Sequence, residues 1–122
     1  MNVSVLKSKI HRAVVTQVDL NYIGSISIDE NLMKMAGLIE YEKVDVLNIT
    51  NGNRLQTYVI KAKMNSGTIG INGAAAHLIN KNDLVIVVSY CQIHTDDIKS
   101  FRPKIIHVDN QNCPISLDKQ PF

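Results

Sequence analysis

The segment Val44-Asp45-Val46-Leu47-Asn48-Ile49-Thr50-Asn51-Gly52-Asn53-Arg54-Leu55-Gln56-Thr57-Tyr58-Val59-Ile60-Lys61-Ala62 decides the fold class. Two β-type runs flank Asn51-Gly52. Asn-Gly between such runs is the strongest short hairpin signal, because a tight turn needs positive φ, which Asn and Gly adopt at least cost. The spacing predicts a hairpin with strands over 44–50 and 54–62.

Working outward, Lys9 to Thr16 sets Ile10, Arg12, Val14 and Thr16 against Lys9, His11, Ala13 and Val15, a strand with mixed faces. Tyr22 to Ile28 reads as a second extended run. Asp29 is placed as the N-cap of a short helix to Ala36 that stops at Gly37, with Leu32, Met33, Met35 and Ala36 giving it an apolar side. Thr68 to Ile71 reads as a short strand, and Asn72-Gly73 opens one or two helical turns over Ala74 to Leu78. Leu84 to Tyr90 is apolar apart from Ser89 and should be a central strand. Thr95 to Phe101 reads as a short helix capped by Thr95 and ended by Pro103, and Lys104 to Val108 as the last strand. Many short strands with small helices predict a mainly β fold, a closed or nearly closed barrel. Strand order does not follow from the pattern.

Composition narrows the function classes. At 122 residues the chain is one domain with room for a core. A net charge of +2 is too weak to argue for nucleic acid or a membrane surface as partner. Lys7, Lys9 and Arg12, clustered before the first acid Asp19, read as a solvated strand edge. No apolar run reaches the roughly 18 residues of a membrane span. Lys7, Lys9, His11 and Arg12 interrupt any signal-peptide core. Cys91 and Cys113 make no disulfide framework and suit a reducing cytoplasm. The histidines His11, His77, His94 and His107 lack ligand spacing with each other or with the cysteines, so no metal site is expected.

Gly24-Ser25 is the place where chemistry could reside. A serine hydroxyl can attack the carbonyl before it and move the acyl group from nitrogen to oxygen. An amide is more stable than an ester, so this needs a strained turn and a placed oxyanion donor. Glycine before the serine leaves the carbonyl unobstructed. β-Elimination of the ester then gives dehydroalanine, and hydrolysis gives a pyruvoyl group. Taken alone, the dipeptide is a very weak signal and reads as an ordinary turn.

Arg54 offers a guanidinium fork for a carboxylate, or is a surface residue at a strand start. Thr57 and Tyr58 are strand neighbours whose side chains point to opposite faces, so they share one site only at a bend or a subunit interface. Alone, Tyr58 reads as a packed aromatic and Thr57 as a surface β-former. Asn72, Gly73, Ala74 and Ala75 form a helix entry whose free N–H groups can hold an anion or carbonyl oxygen, or simply a turn.

Several motifs carry a resemblance. Lys7-Ser8-Lys9-Ile10-His11-Arg12-Ala13, Val15-Thr16 and Asp19-Leu20-Asn21-Tyr22-Ile23-Gly24-Ser25-Ile26 open it. Thr50-Asn51-Gly52-Asn53-Arg54, Thr57-Tyr58-Val59-Ile60, Gly70-Ile71-Asn72-Gly73-Ala74-Ala75-Ala76-His77 and Asp83-Leu84-Val85-Ile86 continue it. In register from about Lys7 to Asp109, the chain resembles the bacterial aspartate 1-decarboxylases.

The resemblance implies a double-ψ β-barrel with short helices. It implies self-cleavage at Gly24-Ser25 into residues 1–24, the small chain, and 25–122, the large chain. It implies a covalent pyruvoyl group made from Ser25, with no external cofactor and no metal. That group forms a Schiff base with L-aspartate, which is decarboxylated to β-alanine for pantothenate synthesis in the cytoplasm.

By the same resemblance Tyr58 is the proton donor, a role worth roughly 10²–10⁴ in rate. Thr57 contacts substrate and assists cleavage, and Arg54 holds the carboxylate that stays. Asn72, Gly73, Ala74 and Ala75 line the substrate site, Lys9 adds positive potential, and His11 and Tyr22 surround the pocket. A homotetramer with sites between subunits is implied, and a maturation factor is left open. Val5, Val18, Ile23 and Leu47 depart from residues common in relatives without touching these motifs. The tail after Asp109 matches weakly and is given no role.

Two other readings stay open at this level. A barrel with a mildly basic edge could be a binding module that never cleaves, although that reading does not require Arg54, Thr57 and Tyr58 to accompany Gly24-Ser25. A homologue that remains an uncleaved precursor is the other.

Overall fold

In a computed structural model of the chain, which describes residues 1–116, eight strands form one sheet. They are β1 (Asn2–Val14), β2 (Gln17–Asp19), β3 (Ser25–Asp29), β4 (Lys43–Asn48), β5 (Arg54–Ala62), β6 (Ile69–Asn72), β7 (Leu84–His94) and β8 (Lys104–His107), with one helix, α1 (Glu30–Ala36), and two 3-10 turns, Gly73–His77 and Thr95–Ser100. Their order is β2-β6-β3-β5-β4-β7-β1-β8. Because β2 continues β1 through Val15 and Thr16, the sheet closes on itself. Val15 N–H donates to Asp83 O at 2.9 Å and Thr16 N–H to Ile69 O at 2.8 Å across that seam. Parallel pairs β1·β8, β2·β6 and β3·β5 are woven among antiparallel ones, giving the double-ψ β-barrel.

The barrel is filled by β-branched and leucine side chains, among them Ile10, Ile26, Ile28, Leu32, Val59 and Ile71, all essentially inaccessible. Each such burial is worth roughly 1.5–3 kcal/mol, and branched side chains suit a pleated surface. No helix among the described residues is long and apolar enough to cross a membrane.

Local signals locate most elements. The hairpin forms between β4 and β5, with Gly52 at φ 81°. Asp29 caps α1, accepting from Asn31 N–H at 2.8 Å, and Gly37 ends it in the left-handed region. Asp29 also accepts from the N–H groups of Asn65 and Gly67, both at 2.9 Å, so the cap pins a distant loop to the helix start.

Four expectations change. β1 begins at Asn2, well before Lys9, because residues 2–6 pair with the long β7. The expected alternation over 9–16 breaks at a bulge between Ile10 and Ala13, where Arg12 takes φ 65° and both flanking apolar residues turn inward. Tyr22 to Gly24, expected as the start of a strand, instead belong to a turn over residues 20–24: Asp19 Oδ1 accepts from Asn21 N–H at 3.0 Å, so the acid side chain bends the chain locally. The second 3-10 turn is capped by His94 and not by Thr95: His94 Nδ1 accepts from Asp96 N–H. The C-terminal end of the expected 25–122 fragment, residues 117–122, lies outside the described residues.

Candidate active site

Ser25 is the first residue of β3, directly after the turn that Asp19 initiates, and it pairs across the sheet with Asn72. The pairing explains its environment. Ser25 is only 1% exposed, and Asn72, at 4%, sends its side-chain amide to it: Nδ2 donates to Ser25 Oγ at 3.0 Å and to Ser27 Oγ at 2.9 Å. Ser25 Oγ in turn donates to Ile23 O at 3.1 Å, which turns the hydroxyl back along the chain toward the Gly24 peptide.

Gly73 follows Asn72 with φ 75°, and a Cβ there would lie 2.6 Å from Gly24 Cα and 2.9 Å from Gly24 N. Only glycine lets the two segments approach this closely, so the backbone at Gly73 packs directly against Gly24, the residue before Ser25.

Beside this peptide lies a cavity of about 420 Å³, lined by Gly24, Leu55, Gln56, Thr57, Tyr58, Asn72, Ala74, Ala75 and Leu78. Its position follows from strand pairing. β5 is bonded to β4 over residues 54–58, but to β3 only from Val59 onward, where Ile26 is its partner. Upstream of Ile26 the chain has turned away at Gly24, so the edge of β5 over 54–58 lacks a neighbour on that side. The cavity occupies the gap between this edge and the 3-10 turn Gly73–His77. A cavity that wraps a strand edge receives side chains from both faces, which is how Thr57 and Tyr58 line it together. The sequence foresees either a bend or a subunit interface for this pair; the open edge does the same within one chain.

Six of the expected residues therefore meet at the cavity: Gly24, Thr57, Tyr58, Asn72, Ala74 and Ala75. Ser25 and Gly73 do not line it but adjoin two residues that do, Ser25 bonding to Asn72 and Gly73 packing against Gly24. Four others sit elsewhere in the single chain. Arg54 is exposed at the start of β5, opposite Leu47. Tyr22 is half exposed on the turn. Lys9 lies on β1 between Val88 and Ile105. His11 packs edge-on against His107, ring centroids 5.2 Å apart. Among the described residues the buried His11 Nδ1 has no hydrogen-bond partner. Burial lowers the His11 pKa from 6.5, and the nearby charges of His107, Lys9 and Arg12 lower it further, which favours the neutral ring. Leu55, Gln56 and Leu78 also line the cavity, and sequence reasoning did not single them out. Leu55 and Gln56 adjoin Thr57 and Tyr58, but only an unpaired strand edge brings all four to one space.

Comparison with known proteins identifies the family. Residues 1–115 match the family described as "Aspartate decarboxylase". The chain is 52% identical over 112 residues to "Aspartate 1-decarboxylase" of Clostridium botulinum (strain 657 / Type Ba4), covering 92% of this chain and 88% of that protein. It is 55% identical over 112 residues to the protein of the same name from Campylobacter hominis, covering 92% and 96%. It is 57% identical over 116 residues to "Aspartate 1-decarboxylase 1" of Frankia casuarinae, covering 95% and 75%. Among solved structures, a computationally designed protein aligns with a TM-score of 0.43 at 17% identity, over 70% of this chain and 96% of that one, a likeness too weak to add to the strand order above. A match over nearly the whole chain, at more than half identity, places the chain in the aspartate decarboxylase family.

Proposed function

We propose that this chain cleaves itself between Gly24 and Ser25 and that the mature protein decarboxylates L-aspartate to β-alanine and carbon dioxide, a reaction serving pantothenate synthesis in the cytoplasm. The observation that carries the reading is the buried Ser25 hydroxyl, gripped by the Asn72 amide beside a cavity that also holds Thr57 and Tyr58.

Cleavage begins when Ser25 Oγ adds to the Gly24 carbonyl carbon, the Gly24–Ser25 C–N bond breaks, and an ester with a free Ser25 amine results. Loss of the Ser25 Cα proton then expels Gly24 as a carboxylate through the Cβ–O bond. Water replaces the nitrogen on Ser25, and ammonia departs. The Asn72 amide, 3.0 Å from Oγ, donates to the oxygen that becomes part of the leaving carboxylate, and a donor at that oxygen favours its developing charge. The same amide keeps Ser27 Oγ as a partner at 2.9 Å once Ser25 Oγ has left, so the donor is not stranded.

These residues suit a pyruvoyl group at position 25, which removes the hydroxyl without adding bulk. Such a group supplies a ketone that takes up the substrate amine and draws off the electron pair left by carbon dioxide. The rest is the work of the chain's own side chains. Tyr58, on the edge of β5, returns a proton to the carbon that has lost its carboxylate. Thr57 and the 73–75 backbone hold the substrate against the β5 edge. Arg54 receives the carboxylate that is kept, through a two-pronged hydrogen bond. Arg54, Lys9 and His11 stand outside the single-chain cavity, and their placement supports a site completed by a second copy, within a homotetramer.

The test is β-alanine formation from L-aspartate by the purified protein, with L-glutamate and the Ser25→Ala variant as controls. The reading predicts β-alanine from the wild type alone and little turnover of glutamate. Fully cleaved protein that makes no β-alanine contradicts the assigned substrate. β-Alanine from Ser25→Ala contradicts the role of the serine.

A further inference from the structure

The carbonyl of Leu78 is the acceptor for three side-chain amides at once. Asn51 Nδ2 and Asn53 Nδ2 each donate to Leu78 O at 3.1 Å, and Asn48 Nδ2 approaches it at 3.4 Å. A carbonyl oxygen has two lone pairs, so the two shorter contacts are the effective bonds. Asn48 spends its amide chiefly on Asp83 Oδ2, at 2.7 Å in the interior. All three asparagines belong to the tip of the β4–β5 hairpin, and Leu78 follows directly on the 3-10 turn Gly73–His77.

These bonds join the two walls of the cavity. One wall is the β5 edge with Leu55, Gln56, Thr57 and Tyr58, and the other is Asn72, Ala74, Ala75 and Leu78. At the Asn72 end the second wall is tied to the Gly24-Ser25 segment by the Asn72–Ser25 bond and by the Gly73–Gly24 contact. At the Leu78 end the chain makes a short 3-10 turn with Leu78 40% exposed, and a turn of this kind is held weakly by its own hydrogen bonding. The hairpin amides supply the missing tie.

We infer that Asn51 and Asn53 are positioning residues: their amides latch Leu78 to the β4–β5 hairpin and so set the width of the cavity at the end away from the Gly24-Ser25 bond. The inference rests on the proposed function for its reference to substrate, but the latch itself does not. Because the cleavage bond is fixed at the other end, releasing the latch weakens substrate binding and leaves self-cleavage intact. A tie needed only for stability lowers all functions together.

The experiment uses the full chain carrying Asn51→Ser and Asn53→Ala. Serine at 51 keeps an oxygen for the Asn53 N–H, which now bonds to Asn51 Oδ1 at 2.9 Å, but is too short to reach Leu78. Asn48 is left unchanged because its buried bond to Asp83 supports folding. Intact mass, aspartate kinetics and amide hydrogen exchange over residues 74–78 are measured on the wild type and the double variant. The latch predicts the same extent of cleavage, a KM for aspartate raised about tenfold with kcat nearly unchanged, and exchange over 74–78 about tenfold faster, as expected for losing two modest hydrogen bonds. Unchanged exchange over 74–78 overturns the latch. So does loss of cleavage and kcat together with faster exchange across the whole barrel. If the wild type itself makes no β-alanine, the proposed function fails, and the exchange measurement still decides the latch.

Discussion

Two glycine turns in this barrel look alike in sequence and differ in what surrounds them. Gly52, in the β4–β5 hairpin, has φ 81° and nothing within 4 Å of where a Cβ would sit. Gly73, in the turn after β6, has φ 75°, and a Cβ there would collide with the Gly24 backbone at 2.6 Å. The first glycine serves its own turn. The second serves a contact with a bond 49 residues away in the chain, the one proposed to break (73 minus 24). A turn signal is local and legible; the crowding around a turn is supplied by another segment.

The largest effect that can break this contrast is Ser25→Ala. With no hydroxyl to attack Gly24, the variant folds, stays a single chain and makes no β-alanine, read by intact mass and activity. Normal cleavage in that variant excludes attack by the serine.

Matched substitutions at the two glycines sharpen the contrast. Gly73→Ala and Gly52→Ala carry the same left-handed backbone cost, about 1–2 kcal/mol. Only Gly73→Ala adds a backbone collision beside the Gly24-Ser25 bond. Gly73→Ala should therefore accumulate uncut chain, seen by denaturing gel over hours, whereas Gly52→Ala cuts completely. Equal cleavage in the two variants removes the distinction between the turns.

Tyr58→Phe separates maturation from turnover. It should cleave as the wild type does and then lose roughly 10²–10⁴ in kcat, the usual worth of a placed acid. The smallest effect belongs to Gly52→Ala measured for stability alone. The loss of about 1–2 kcal/mol lowers the midpoint of thermal unfolding by several degrees and leaves aspartate turnover unchanged. A change in KM there means that strain at Gly52 also releases the Asn51 and Asn53 amides from Leu78.

What could be read from the residues follows the same division. The Asn51-Gly52 hairpin, the Asp29 cap, the Gly37 stop and the apolar β7 each depend on neighbours in sequence, and each is found where local chemistry puts it. The bulge at Ile10–Ala13 and the turn after Asp19 were missed. The first arises from pairing with β7 and the second from one carboxylate taking one amide, and neither leaves a periodicity to detect. In the site, Thr57, Tyr58, Asn72, Ala74 and Ala75 were singled out by residue type and resemblance and do meet at one cavity. That they meet at an unpaired stretch of β5 was not legible, because it depends on where β3 begins to pair. The amide bond from Asn72 to Ser25 spans 47 positions and has no local signature.

The central claim is that the buried Ser25 hydroxyl breaks the bond before it. The most direct test is the mass of the purified wild-type protein under denaturing conditions. The account predicts two fragments meeting at Gly24 and Ser25, the larger lighter by one ammonia than a peptide beginning with serine. A single full-length species that persists on prolonged incubation, with or without cell extract, contradicts it.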